Sequence, residues 1–330
     1  MKRLGMLMLM VALICMMGLT ACGDKKIVLS AGFASGELFR VDGKPCEAKE
    51  VLLYAITINN TYKVTGEDDA SRMQLSELTK ETALDMVYKI KVMNLLAKTY
   101  GISLTSEEKE LIKAAAKEYF DSLTSEEKAA MGGVSLADIR GYYEEYAISI
   151  KLYESLIKDV NPEISDDDAR TVVVKKIFID KTRAGGAIGA IANQAYQRAA
   201  EGEDFDLLVA EYSDDEAKLY DVRKGDLELL LEEAVFNLSN GQISSLLEAS
   251  DGYYIFYCVS AADPVAIEAN KRRIIEARQA EAFESIYNAY EEQRRYYLNE
   301  QLWGELVIED GENINTCNFF DVFNSYYITE

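Results

Sequence analysis

The chain contains no histidine among its 330 residues. That removes the commonest general base and the commonest metal ligand together. Cysteine is sparse as well. Cys15 lies in an apolar N-terminal run and Cys22 closes it, which leaves Cys46, Cys258 and Cys317. Three thiols so far apart form neither a disulfide framework nor a zinc ligand set, and they are expected to be buried and free. Positive charge is in deficit: 35 basic against 57 acidic residues give a formal net charge of −22. A surface this acidic repels nucleic-acid phosphates and anionic lipid headgroups, so no nucleic-acid partner is expected. Nothing points to a cofactor, a metal or a small-molecule ligand. Asp166, Asp167 and Asp168 follow Ser165 without a glycine-centred calcium loop and read as a cap. Glu67, Asp68 and Asp69 read as a solvated loop, and Gly185-Gly186 lacks a phosphate-loop context.

What is present begins with Lys2 and Arg3, ahead of an apolar run from Leu4 to Leu19. A basic start, an apolar stretch and small residues before a cut site describe a secretory signal. A transmembrane helix is the competing reading, and the run is near the lower length limit for one. The sequence Leu19-Thr20-Ala21-Cys22 decides between them, because it resembles a bacterial lipobox. The resemblance implies that residues 1–21 are removed and that Cys22 carries lipid. Two acyl chains, at ~0.8 kcal/mol per buried CH₂, supply a stable anchor where one chain does not. Loss of Lys2 and Arg3 takes the formal charge from −22 to −24. Residues 22–36 are then a tether.

Beyond the tether, Glu37–Asp42 alternates like a short strand and is broken by Gly43-Lys44-Pro45. Helical spacing marks 47–62 and 78–100, the second stopped by Gly101. The heptapeptide SLTSEEK occurs at 103–109 and 122–128, and in each copy Thr-Ser-Glu-Glu reads as a capping box opening a helix. Residues 136–160 form a further helix, ended by Asn161-Pro162. The texture then changes. Thr171–Ile179 (TVVVKKIFI) and Tyr253–Val259 (YYIFYCV) read as strands, with helical pieces at 190–201, 204–212 and 232–237 between them. A long charged helix is expected from Ala266 to Trp303, packed on the earlier helices. The tail, 310–330, is either loose, from its acidic and Asn residues, or docked through Phe319, Phe320, Val322 and Phe323.

The fragments of the α/β stretch carry a family resemblance. Val174–Phe178 (VKKIF) stands where the family has an Ala-Ser-His-Ile-Leu type strand. Glu201–Leu208 (EGEDFDLL) is similar to its G-x-D-F-x-x-L helix start, and Tyr212–Asp215 (YSDD) to its x-S-x-D step. Lys224–Leu227 (KGDL) resembles the G-G-D-L turn, Glu233–Ser244 the A-A-F-x-L-x-x-G-E-x-S segment, and Ser250–Phe256 the x-x-G-Y-H-I-I strand. In this order they resemble the extracytoplasmic parvulin foldases, the PrsA- and SurA-like peptidyl-prolyl isomerases and chaperones. The resemblance implies an α+β chain. A SurA-N-like helical chaperone domain (37–165) is completed by a C-terminal helix (263–309), and a parvulin-like module of the FKBP-like superfamily (166–262) is inserted between them. It also implies unfolded or newly translocated polypeptides as partners and a lipid-anchored place at the outer face of the cytoplasmic membrane.

The same resemblance locates a site and shows it altered. Prolyl isomerisation crosses a barrier of ~18–20 kcal/mol without breaking a covalent bond, so the family needs only an apolar proline cup and groups that favour the twisted amide. Its two histidine positions fall on Lys176 and Tyr254, and its acidic position on Asp215. The segment with the proline-cup methionine is missing after Leu227, and the cup phenylalanine corresponds to Leu231. Asp215 is thus the candidate catalytic residue, with Lys176, Leu231, Phe236, Asp251 and Tyr254 as candidate substrate contacts. Family geometry implies that Lys176 and Asp215 are close enough to pair.

Three functions stay open on this reading: a tethered foldase-like chaperone with a weak or inactive isomerase module, an active isomerase of atypical site, and a solute-binding lipoprotein with two large α/β lobes. The tyrosine and phenylalanine runs (Tyr142, Tyr143, Tyr287, Tyr290, Tyr296, Tyr297, Phe319 to Tyr327) suit client contact if exposed, and helix packing if not.

Overall fold

The computed structural model describes residues 32–62, 69–183, 186–217, 219–309, 311 and 313–327. Cys22, the apolar run before it and most of the tether lie outside them. The chain forms two compact units, one of residues up to Lys158 together with Phe283 onward, the other of Asp159–Ala282.

The first unit opens with a hairpin, β1 (Glu37–Val41) and β2 (Lys44–Glu47), paired antiparallel. Asp42 and Gly43 turn it with φ of 45° and 79°, the left-handed pair that a two-residue hairpin loop demands. Five helices follow: α1 (Ala48–Tyr62), α2 (Asp69–Thr99), α3 (Ser106–Ser122), α4 (Ser125–Ala130) and α5 (Leu136–Ile157). Residues 50–58 of α1 are buried on every side, which makes it the central helix. Both SLTSEEK copies form complete capping boxes, Thr105 with Glu108 and Thr124 with Glu127. Ser135 and Asp138 form a third.

The expected helix from Ala266 to Trp303 needs correction. Helix α9 (Pro264–Glu291) ends twelve residues short of Trp303, and β7 (Tyr296–Leu298) joins β1 as the third strand of a sheet ordered β2-β1-β7. Asp42 causes the stop: its carboxylate accepts the Arg295 N–H at 2.9 Å and pairs with Arg294 at 2.8 Å, pulling the chain into the hairpin turn. Within the first unit, Phe283 of α9 packs on Tyr153, with ring centroids 5.2 Å apart. A short α10 (Glu300–Glu305) follows, then α11 (Phe319–Tyr327). The tail is docked. Phe319 and Phe323 are fully buried against Tyr54, Tyr119, Tyr143 and Tyr146. Of the aromatic runs, Tyr142, Tyr143, Tyr287 and Tyr296 are likewise buried, so they are packing residues. Cys46 and Cys258 are buried and free as expected, whereas Cys317 is exposed; it lies in the uncoiled approach to α11, where its neighbours turn toward the core and it does not.

The second unit is built on a four-stranded antiparallel sheet ordered β4-β3-β6-β5, from β3 (Thr171–Asp180), β4 (Tyr220–Arg223), β5 (Leu247–Glu248) and β6 (Gly252–Ser260). Period-two alternation gives the sheet two apolar faces. On one, Ile177, Ile179 and Ile255 are covered by α6 (Ile188–Ala200) and α7 (Phe205–Tyr212). On the other, Val172, Val174, Val222, Phe256 and Cys258 are covered by Leu231 and Val235 of α8 (Leu229–Phe236). The architecture is α+β. The two large α/β lobes that a solute-binding protein would need do not occur among the described residues. No helix among them is long and apolar enough to cross a membrane.

Candidate functional site

Helix α8 covers only the first half of its face of the sheet. Beyond Val174 the same face of β3 continues through Lys176 and Phe178, and cross-strand pairing sets Phe178 opposite Tyr254 of β6. These side chains form the open end of the face, and the candidate site is there.

Asp215 reaches this end through the loop after α7. Strand β4 pairs with β3 only as far as Val174, which leaves later edge groups of β3 without a strand partner. The loop takes them over: Phe178 N–H donates to Ser213 Oγ (3.1 Å), Asp214 N–H donates to the Phe178 carbonyl (2.7 Å), and Asp180 N–H donates to Asp214 Oδ2 (3.0 Å). The Ser-Asp-Asp step is thus a substitute strand, and it delivers Asp215 beside Lys176. Their ion pair is 2.6 Å long, between half-buried side chains. The hydrogen bond from Lys176 holds the Asp215 carboxyl below the usual carboxylate range, against a smaller opposing effect of burial. Lys176 also lies over the Tyr220 ring, 4.3 Å from its centroid.

Tyr254 stands on the other strand. Its hydroxyl donates to Asp251 Oδ2 at 2.8 Å, and its ring packs on Phe178 with centroids 4.8 Å apart. Burial first, and the nearby Asp251 second, push the phenol upward, so it stays protonated as a donor. The turn that presents Asp251 requires glycine at the next position: a Cβ on Gly252 would lie 2.5 Å from the Ile179 carbonyl oxygen.

Lys176, Asp215, Asp251 and Tyr254 therefore come together, and two other sequence-derived candidates do not join them. Leu231 is buried in the core beneath α8. Phe236 sits at the opposite end of β3, beneath the Arg170 guanidinium; six residues of extended strand separate Arg170 from Lys176, about 20 Å at ~3.3 Å per residue. Tyr220 and Phe178 are the members that the sequence reading missed. Alternation in Tyr220-Asp221-Val222-Arg223 was the available signal for the first, and period-two alternation with Lys176 for the second. A 740 Å³ cavity bordered by Lys175, Phe205, Asp206 and Tyr257 opens on the opposite face.

Chemically, this end of the sheet offers two carboxylates, Asp215 paired with an ammonium and Asp251 accepting from a phenol, together with aromatic surface. Among the described residues no cluster could hold a metal ion.

Residues 174–260 match the Rotamase family model, described as the PPIC-type PPIase domain. The second unit carries a PPIC-type PPIase domain. This agrees with the parvulin resemblance of the motifs, whose ordered fragments lie in the matched stretch from Val174 onward. No curated protein matches the chain. Among solved structures it is similar to the peptidylprolyl isomerase PrsA of Bacillus cereus, at 14% identity over 91% of this chain and 99% of that one, with a TM-score of 0.36. It is similar also to the foldase protein PrsA of Streptococcus pneumoniae (16% identity, 88% and 99% covered, TM-score 0.32). A structure of SurA-like chaperones from Campylobacter jejuni is a third (12%, 80% and 99%, TM-score 0.30). In the PPIC-type domain of this chain, Lys176 lies on β3 and Tyr254 on β6.

Proposed function

We propose that this protein is a foldase-like chaperone held by lipid on Cys22 at the outer face of a bacterial cytoplasmic membrane. It binds unfolded or newly translocated polypeptides, and its PPIC-type domain is a weak prolyl isomerase or none. The family match supports the protein-handling role, and the Leu-Thr-Ala-Cys sequence supports the anchor. One observation carries the loss of catalysis: the Lys176–Asp215 ion pair. Asp215, the acidic residue at the family's position, is engaged by a cation in place of an imidazole, and the second acidic residue of the site, Asp251, accepts from Tyr254. Leu231, at the cup position, is committed to the core, so the apolar burial that holds proline, about 1.5–3 kcal/mol for a side chain of that size, is missing.

A proline-tetrapeptide isomerisation assay tests this directly. The expected result is a rate close to the uncatalysed one, together with suppression of aggregation of an unfolded protein. Clear catalysis that disappears in Asp215→Asn would overturn the proposal in favour of an active isomerase of atypical site. Partition of the mature chain with membranes, lost in Cys22→Ser, tests the anchor separately.

A further inference from the structure

Residues 314–327 enter the helical unit in the way a bound peptide enters a receptor. Residues 314–318 belong to no helix or strand, and side chains of the unit's helices satisfy their backbone. Asn60 of α1 donates from Nδ2 to the carbonyls of Ile314 (3.1 Å) and Thr316 (2.9 Å). Glu127 of α4 accepts, on Oε1, the N–H groups of Asn315 (3.1 Å) and Thr316 (2.9 Å). Tyr143 of α5 donates its hydroxyl to the Phe319 carbonyl at 2.6 Å. Every one of these contacts reads main chain.

Side-chain contacts start with the buried Ile314 and with Thr316, whose hydroxyl donates to that of Tyr119 at 3.3 Å, and they concentrate where the segment coils. Phe319 and Phe323, four residues apart and so on one face of α11, are fully buried. Phe319 packs 4.5 Å from the Tyr143 ring, and Phe323 5.0 Å from that of Tyr146. Phe320 lies 5.3 Å from Tyr146 and 5.6 Å from Tyr54. Side chains that meet a strand's amides and carbonyls, followed by an aromatic-lined groove for a short amphipathic helix, combine two recurrent modes of peptide recognition. Such a surface specifies backbone shape and aromatic spacing; Val322 is buried beside the phenylalanines, and the Tyr326 and Tyr327 hydroxyls donate to Glu118 and Glu108 of α3.

We propose that the surface formed by α1, α3, α4 and α5 is a peptide receptor. Its resident, residues 314–327, exchanges with unfolded polypeptide segments that carry aromatic residues in the spacing of Phe319, Phe320 and Phe323. This rests on the chaperone reading for the origin of the exchanging segment, and on the geometry alone for the receptor.

The test uses the full chain and two fluorescent peptides, one of residues 313–327 and one keeping the contacting residues Ile314, Thr316, Val322, Tyr326, Tyr327 and the three phenylalanines, every other residue being changed. In Phe323→Ala, which weakens the resident, both peptides are expected to bind at least about tenfold more tightly than in the unaltered chain. Adding Asn60→Asp, which removes the donors to Ile314 and Thr316, is expected to reverse that gain. Binding of the first peptide alone overturns the proposal, since it shows self-complementation and not a receptor. Binding of neither peptide by a Phe323→Ala chain that unfolds cooperatively also overturns it. Should that variant not fold, hydrogen exchange on the unaltered chain decides. Amides of 319–327 exchanging ahead of those of α5 support the proposal, and exchange together with α5 overturns it. Binding of both peptides without suppression of aggregation leaves the receptor standing and sinks the chaperone reading.

Discussion

The ammonium of Lys91 lies 2.6 Å from the carboxylate of Glu50 in the interior of the helical unit, and it also contacts Glu145. Two carboxylates therefore share one cation, and Glu50 is the fully buried one. Cys46 donates to its Oε2 at 3.4 Å, while its buried Oε1 has no partner among the described residues. Burial outweighs the attraction of Lys91 and pushes the Glu50 carboxyl up to about 7. On Lys91 burial acts downward, yet the attraction of Glu50 and Glu145 exceeds it and the shift is upward.

A pH dependence follows from Glu50. A carboxyl raised on folding keeps a proton that the unfolded chain releases, so its contribution to stability is largest at low pH. That contribution is lost as pH rises from about 4.5 to about 7, with a slope of up to ~1.4 kcal/mol per pH unit. Urea unfolding at pH 5 and pH 7.5 should show the unaltered chain losing stability relative to Glu50→Gln across that interval. Parallel changes in the two chains would disprove the assignment. Lys91→Met leaves both carboxylates without their cation and should cost about 3–5 kcal/mol near neutral pH.

The position of Leu231 gives a second prediction. Buried between Val172, Val235 and Phe256, it should behave as core, so Leu231→Ala should lose about 2–5 kcal/mol. Leu229, two residues earlier on α8 and 72% exposed, should change stability by no more than about 0.5 kcal/mol on the same substitution. Equal, small effects at both positions would return Leu231 to the surface of a binding cup.

Asp42 carries the third. Its carboxylate holds Arg294 and the Arg295 N–H, and its own φ of 45° suits Asp better than Ala. Asp42→Ala should destabilise the first unit by about 1–3 kcal/mol. Asp42→Asn, which retains an acceptor and tolerates the backbone, should recover part of that. Thermal melts of the two variants measure the difference.

The capping boxes supply the fourth. Thr105→Ala and Thr124→Ala should each cost about 1 kcal/mol. Thr105→Ser, which keeps the acceptor for the Glu108 N–H, should cost less than Thr105→Ala. Similar losses for Ser and Ala would mean that the threonine methyl group, and not the cap, is what matters.

The capping boxes were legible because each joins residues three apart, and β3 and β6 because a buried strand is a run of β-branched and aromatic residues. Strand β7 was not. Its three residues follow Glu291-Glu292-Gln293-Arg294-Arg295, a stretch as suited to a helix as to a turn, and the distant β1 hairpin, through Asp42 and its pairing with β7, decides the matter. Strand β4 is a half-exposed edge of four residues and gives a weak signal. The motifs brought Lys176 and Asp215 together correctly. Tyr220 beneath Lys176 depended on β4, so it went with it. The tail held both readings in balance, because its aromatic positions and its Asn-rich approach argue oppositely until a partner surface is known.

The pairing of β1 with β7, and the grip of Asn60 on Thr316, have a consequence for synthesis. Each joins residues more than 250 positions apart, whereas the PPIC-type domain is continuous in sequence. A chain that emerges from its amino end can close the PPIC-type domain while later residues are still being made. The helical unit has to wait, its first strand unpaired and its aromatic core uncovered, until residues 296–327 have arrived. For that interval the nascent protein is itself an unfinished polypeptide with exposed aromatic surface.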